Sequence, residues 1–346
     1  MKAEWRLLDY SDPIPAKNLA LDEALMINKH EKASSSTLRL WNIVSPCIVL
    51  GCFENAEYVV DFESCKKYEV MILRRVSGGQ SIYMDEGNLN FTIAIDESSF
   101  QNIKDLVETI KLICKCFSSA LKDFNVDTAI EPYGQGLIIN NKKILEIGCH
   151  CFYEQILIQG TIFISTNLKV LDKVLKRKAF DYTTLSLEAK SSIEMNEIKQ
   201  SIITSFKNNL KIEFKVEGLN EFETKVADRL YKIKYGKDGW NLKKEWPLSW
   251  KDVLVEVLVA YPLTSQCKRM IEVVEKVIVD LKDNVELRIY KRGLGIPPGV
   301  TITRGLNQAA KNSIIPSIII NGELAFGEKV PSESELRRAI IEKIGA

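Results

Sequence analysis

RRVSGGQSIYMDEGNLNFTI, from Arg74 to Ile93, sets two arginines at the end of an apolar stretch, follows them with Ser77, Gly78 and Gly79, and closes a polar turn on Asn88. Glycines let backbone N–H groups come close to an anion, and an arginine presents a planar fork of donors to phosphate or carboxylate. A Gly-Gly pair alone is equally an ordinary turn, so the flanking sequence decides. TLRLW (37–41), CIVLG (47–51), VMILRRV (70–76) and LNFTIAID (89–96) are short, rich in branched residues and bounded by Gly, Pro or Asn, which predicts strands. PAKNLALDEALMINK (15–29) and the stretch 102–123 have helical spacing, with Ile103, Leu106, Ile110, Cys114, Phe117 and Leu121 of the second on one face. The pattern predicts a mixed sheet carrying helices, with Cys114 in the core.

Further along, GLIINNKKILEIGCHCF (136–152) has two apolar runs around Asn140 and Asn141, and ILIQGTIFIS (156–165) adds a third, together an antiparallel meander. Leu219, Phe222, Val226, Leu230 and Ile233 form a helical stripe that Asn220 and Glu223 can open as a capping box and Gly236 can end. GWNLKKEWPLSW (239–250) has no period and holds Pro247, so a boundary is placed there. The expected division is a first domain over 1–242, a linker over 243–249 and a second domain over 250–346. In the last, a strand (253–260), a helix (268–283), a strand (286–291), a hairpin at Asn321-Gly322 and a closing helix (333–343) give β-α-β then β-β-α. The fold class is α/β, of α+β type with a mixed sheet in the first domain.

Composition narrows the function. The 47 Lys and Arg residues nearly balance 46 Asp and Glu, so no global basic field favours nucleic acid. No apolar run reaches the length of a membrane span and the start lacks a signal-peptide core, which makes the cytoplasm the expected location. The eight cysteines occur singly or as C-x-C, which suits reduced thiols, and with two histidines and no C-x-x-C no structural metal is expected.

The 74–93 run is similar to the ligase form, R-R-x-S-G-G-G-x-V-Y-H-D-x-G-N-L-N, of a signature shared by lipoate-protein ligases, octanoyltransferases and biotin ligases. NLALDEAL (18–25), LRLWNIVSPCIVLGCFEN (38–55) and LYKIKYGKDGW (230–240) stand in the order of that family, and KKILEIGCHCFYEQILIQGT (142–161) resembles its segment G-x-K-I-x-G-x-A ending in H-G-T. The resemblance implies activation of lipoate by ATP to lipoyl-adenylate, then transfer to a lysine of a lipoyl-carrier protein. It implies Lys143 as the catalytic lysine, a compact cation between two anions forced together. Arg75, Gly78, Gly79, Gln80, Ser81, Ile82, Tyr83, Lys143 and Thr161 take the adenylate positions, and Arg75, Ser77, Asn88, Lys143 and Gly148 the lipoate positions. Ile82, Ile93 and Ile147 are available for an apolar tunnel.

Departures from the pattern are Gln80 for glycine, Met84 and Gln159 for histidines, and Leu145, Glu146, Ile147 and Gly148 for S-G-S-A. An Asn-Asp pair expected ahead of the lysine reads Gln135 and Gly136, so Mg²⁺ is expected to be held mainly by phosphates and water. A thioester transferase is the alternative; its cysteine would fall near Gln155 or Thr128, neither of which is cysteine, though a regular strand puts Cys149 and Cys151 on the Lys143 face. A non-catalytic lipoate-binding or carrier-binding protein is the other. The second domain resembles thioredoxin, with Thr264, Ser265, Gln266 and Cys267 over the C-x-x-C and Ile315-Pro316 at the cis-proline. Thr264 in place of the attacking cysteine excludes disulfide cycling, and a docking or stabilising role is expected.

Overall fold

The computed structural model describes residues 3–32, 34–96, 105–132, 134–176, 178, 180–297 and 300–344. The chain divides into two compact units, Met1–Glu245 and Trp246–Ala346.

The strands of the first unit are β1 (Ala3–Asp9), β2 (Thr37–Trp41), β3 (Cys47–Leu50), β4 (Met71–Arg74), β5 (Ile82–Met84) and β6 (Asn88–Asp96). They continue with β7 (Ala129–Ile130), β8 (Gly136–Ile139), β9 (Lys142–Phe152), β10 (Gln155–Phe163), β11 (Asp181–Tyr182) and β12 (Ile212–Val216). A large mixed sheet runs β12-β1-β2-β6-β10-β9-β8-β7 with β11 against β9, and a small one runs β4-β3-β5. Strand alternation decides what each face meets. Leu89, Phe91, Ile93 and Ile95 of β6 enter the main core under the helices Leu106–Leu121 and Met195–Leu210, where Phe117 lies 4.1 Å from Phe91 and 5.1 Å from Phe206 by ring centroids. Cys114 is in that core, while Ile103 of the expected stripe lies outside the described residues. On the other face, the helix Pro15–Lys32 packs Leu25 and Met26 against Leu8, Ala94 and Leu157.

Asn140 and Asn141 take φ of 47° and 62°, the backbone that a tight β8–β9 hairpin requires. The capping box of Asn220 and Glu223 is formed, but the helix Glu221–Leu230 gives way to a π turn over Tyr231–Tyr235. The wider turn swings Lys234 and Tyr235 inward to the Glu23 carboxylate, at 2.8 and 2.5 Å, and leaves Ile233 half-buried. The stretch from 239 is also more ordered than its aperiodic sequence suggests. A helix Asp238–Lys243 buries Trp240, whose indole N–H donates to Arg74 O at 2.8 Å, while Asn241 Oδ1 accepts from Arg74 N at 3.0 Å.

In the second unit, β13 (Val253–Val259), β14 (Val285–Lys291), β15 (Ser317–Ile320) and β16 (Glu323–Gly327) form a sheet of order β14-β13-β15-β16. β14 is parallel to β13, and β15 antiparallel. Val253, Val255, Val257 and Val259 pack under the helices Ser265–Ile278 and Glu333–Ile344. On the opposite face is a helix Arg304–Lys311, capped by Thr303, in a stretch whose Gly and Pro content reads as irregular. Both Tyr261–Pro262 and Ile315–Pro316 are cis. The Thr264 hydroxyl caps the Ser265 helix by accepting from Cys267 N at 3.2 Å, a role that a cysteine fills poorly. Cys267 is buried and its sulfur accepts from Ala260 N at 3.4 Å. Among the described residues no helix is long and apolar enough to cross a membrane.

Candidate active site

The two arginines of the 74–93 run are buried and divide their work. Arg74 donates to Trp240 O, Gly51 O and Glu54 O at 3.0, 2.8 and 2.8 Å, tying β4 to the end of the unit. Arg75 shapes the glycine loop: it donates to Ser77 Oγ at 2.9 Å, Val49 O at 3.1 Å, Gly78 O at 2.7 Å and Gln80 O at 2.8 Å. Four of its five N–H donors are thereby engaged within the protein. Burial lowers its pKa, opposed by the Glu54 and Glu146 carboxylates. The loop is closely packed. Gly79 has a φ of +91°, and a side chain at Gly51 would lie 1.9 Å from Gly79 O. Ser81 Oγ donates to the Glu54 carboxylate.

β9 brings the second segment to this loop, and it does so through an irregularity. The register of β8 against β9 shifts so that Ile138 faces Lys143 while the next residue, Leu137, faces Leu145. Ile144 and Leu145 both turn to the core, and Lys143 and Glu146 share the other face. Lys143 Nζ donates to Glu146 Oε2 at 2.9 Å and Gln135 O at 3.2 Å, and lies 4.8 Å from the Phe180 ring centre. Both side chains are buried. Burial pushes the Glu146 carboxyl up, and Lys143 and Arg75 pull it back.

The shift corrects one expectation directly. Cys149 and Cys151 pair with Ile158 and Ile156 and pack on the main core, whereas Glu146 and Gly148 pair with Thr161 and Gln159 on the site face. A one-residue slip inverts every side chain beyond it. Burial further holds the Cys149 thiol in its neutral form, pushed up to about 11.

Gly148 meets the glycine loop, its missing side chain leaving room for Gly78 O, and Gly78 N donates to Cys149 O at 3.1 Å. Asn88 Nδ2 donates to Thr161 Oγ1 at 3.1 Å, joining β6 to β10. Ile82 lines a narrow cavity, about 10 Å³ in volume, with Leu19, Trp41, Val49, Met84 and Phe91, and Arg75, Asp22 and Gln159 give it polar points. Tyr83 takes the opposite face of β5 by alternation, so its contribution here is its backbone. Ile93 and Ile147, named above for a tunnel, sit in the main core instead, because their faces of β6 and β9 point away from the site.

Several site residues escaped the sequence reading. Asp22 accepts from Arg39 NH1 and Thr92 Oγ1, both at 2.5 Å, and from Gln159 Nε2 at 2.8 Å, a buried network at the cavity. Among the described residues, Gln159 Oε1 and both polar atoms of Asn90 are buried without a hydrogen-bond partner. The signal was present in β6, where Asn88, Asn90 and Thr92 alternate with Leu89, Phe91 and Ile93; polar residues on an otherwise buried strand mark a face that meets something other than core.

A family model described as the lipoyl protein ligase A/B catalytic domain matches residues 14–207, within the first unit. Among curated relatives, an octanoyltransferase LipM of Carboxydothermus hydrogenoformans is 26% identical, over 68% of this chain and 97% of the relative. The lipoate-protein ligase A subunit 1 of Thermoplasma acidophilum is 24% identical, over 69% of this chain and 97% of its own. Among solved structures, a bipartite lipoate protein ligase from Thermoplasma acidophilum, studied with its E2 lipoyl domain, has a TM-score of 0.63 at 23% identity, covering 70% of this chain and 98% of that one. A lipoate-protein ligase A bound with ATP gives 0.63 at 22%, covering 71% and 100%. The mixed α/β architecture is that of these ligases.

Proposed function

This chain belongs to the lipoyl protein ligase A/B catalytic-domain family, and we propose that it is a lipoate-protein ligase that activates lipoate with ATP and transfers it to a lysine of a lipoyl-carrier protein. The observation that carries this reading is the β9 shift: it turns Lys143 toward the glycine-loop side of the sheet and turns Cys149 and Cys151 into the core. In the first step a lipoate oxygen attacks the α-phosphate and pyrophosphate leaves; two anions approach, and Lys143 relieves the repulsion as charge builds. Arg75 holds the loop that lies along the nucleotide, with Gly78, Gly79, Gln80 and Ser81 offering backbone groups. The acyl chain enters between Leu19, Trp41, Ile82 and Met84, whose side chains must part to widen the narrow cavity they line. In the second step the carrier amine attacks the acyl carbon and AMP leaves.

Among the described residues no group of three or more His, Cys, Asp or Glu is placed to hold a metal. With Gln135 and Gly136 in place of the related Asn-Asp pair, Mg²⁺ would be carried mainly by the nucleotide's own phosphates and water. All eight cysteines are free, which supports a reducing compartment, the cytoplasm. For the second unit, the β-α-β then β-β-α order and the Thr264 cap on the Cys267 helix support a thioredoxin-like fold used for docking the carrier, without redox cycling.

The octanoyltransferase names among the relatives favour one second reading, transfer through a cysteine thioester. With Cys149 and Cys151 facing the core, its nucleophile would be Cys52, whose backbone N–H donates to Ser77 O at 3.0 Å beside the glycine loop. Burial raises the Cys52 pKa against the pull of Arg75 and Arg74, which disfavours the thiolate this route needs. The test is pyrophosphate release from lipoate and ATP with no carrier present. Release supports the ligase; its absence, with an acyl-thioester on the protein from an acyl-carrier donor, supports the transferase.

A further inference from the structure

Glu146 stands where the related motif has glycine, so the strand needs no carboxylate there. The β9 shift nevertheless aims it into the site, where Oε2 accepts from Lys143 Nζ at 2.9 Å and Tyr182 OH lies 3.5 Å from Oε1. A carboxylate this deep is costly unless paired. Its partner is the same cation that the incoming nucleotide recruits. Any atom in hydrogen-bond contact with Nζ lies within roughly 6 Å of Oε2, being two such distances away at most. The acyl-phosphate that Lys143 bridges is therefore formed beside this carboxylate. Once the phosphate takes the lysine, Glu146 is left in a dry site without its cation, where a carboxylate accepts a proton readily.

We propose that Glu146 is the general base of the transfer half-reaction, an inference that rests on the ligase reading of this site. The carrier's lysine ammonium gives one proton to the Glu146 carboxylate, and the freed lone pair forms the C–N bond at the acyl carbon. The bond from that carbon to the phosphate oxygen breaks, AMP leaves with the electron pair, and the second ammonium proton passes to water. Lys143 and Tyr182 face the carboxylate, and Arg75 and Glu131 are the other charged groups that act on it. Burial raises its pKa, so transfer gains rate as pH rises through that elevated value and is lost below it.

The experiment separates the two halves. Preformed lipoyl-adenylate is given to the full chain with a purified lipoyl domain, and pyrophosphate release from lipoate and ATP is measured separately. In Glu146→Gln the ratio of transfer rate to pyrophosphate-release rate falls about 100-fold, in the range of a lost general base, and the acid limb of transfer disappears. Glu146→Asp recovers part of both. Should Glu146→Gln not fold, Glu146→Gly, the residue of the related motif, is read in the same way. Transfer at the parent rate, or a parallel loss in both halves, overturns the proposal and makes Glu146 only a structural partner of Lys143. A parent protein that releases no pyrophosphate overturns the ligase reading, while the supplied-adenylate arm still decides on Glu146.

Discussion

Gly148→Ala adds one methyl group where β9 meets the glycine loop. Its Cβ would stand 2.3 Å from Gly78 O, 3.0 Å from Ser77 Oγ and 3.1 Å from Arg75 Nε. The first neighbour is backbone and cannot rotate away, so loop and strand must part by about 1 Å to restore an ordinary contact. Two hydrogen bonds cross that gap or hold the loop in place: Gly78 N to Cys149 O at 3.1 Å and Arg75 NH2 to Gly78 O at 2.7 Å. Weakening a neutral and a charged hydrogen bond while overpacking the contact should cost about 2–4 kcal/mol. For a unit of this size that lowers Tm by about 5–15 °C. On the proposed ligase reading, in which this loop lies along the nucleotide, a displacement of about 1 Å should lower kcat/KM for ATP about 100-fold. Thermal melting and pyrophosphate release on the same preparation measure both. A variant melting within about 1 °C of the parent with undiminished release would mean that the Gly148 contact does not hold the loop in place.

Cys149→Ser and Cys151→Ser, singly and together, should keep activity within about threefold, since both side chains face the core and neither reaches the site. Loss of turnover together with an acyl-thioester trapped on the parent protein would return the cysteine route. Glu223→Ala should cost about 3–5 kcal/mol in urea unfolding, because it strips the buried Arg6 guanidinium of a two-pronged partner at 2.5 and 2.8 Å. A cost below about 1 kcal/mol would mean that the pair contributes little beyond its own desolvation.

What was legible in the sequence is local. The Asn140-Asn141 hairpin, the Asn220 and Glu223 capping box and the alternation of β6 each follow from a few neighbouring residues. β1 and β12 were missed because neither carries a clean pattern alone: they pair with each other in parallel across some two hundred residues, as Trp5 opposite Phe214 shows. The helix Met195–Leu210 was available in the stripe Ile198, Ile202 and Phe206. The site was half legible. The motif singles out the loop and Lys143 as candidates, but the faces of Cys149 and Glu146 depend on a single register shift that no periodicity announces. The network of Asp22, Arg39, Thr92 and Gln159 joins four separate elements, and only the fold brings those residues together.

On the proposed function the chain makes an acyl-adenylate through Lys143. Incubation of the protein with lipoate and ATP, followed by an acid quench and mass spectrometry of the products, reads this step itself. Lipoyl-AMP and pyrophosphate are expected from the parent protein and neither from a folded Lys143→Ala variant. Lipoyl-AMP from that variant at the parent level, or no adenylate from the parent and an acyl group on Cys52 from a thioester donor, would contradict it.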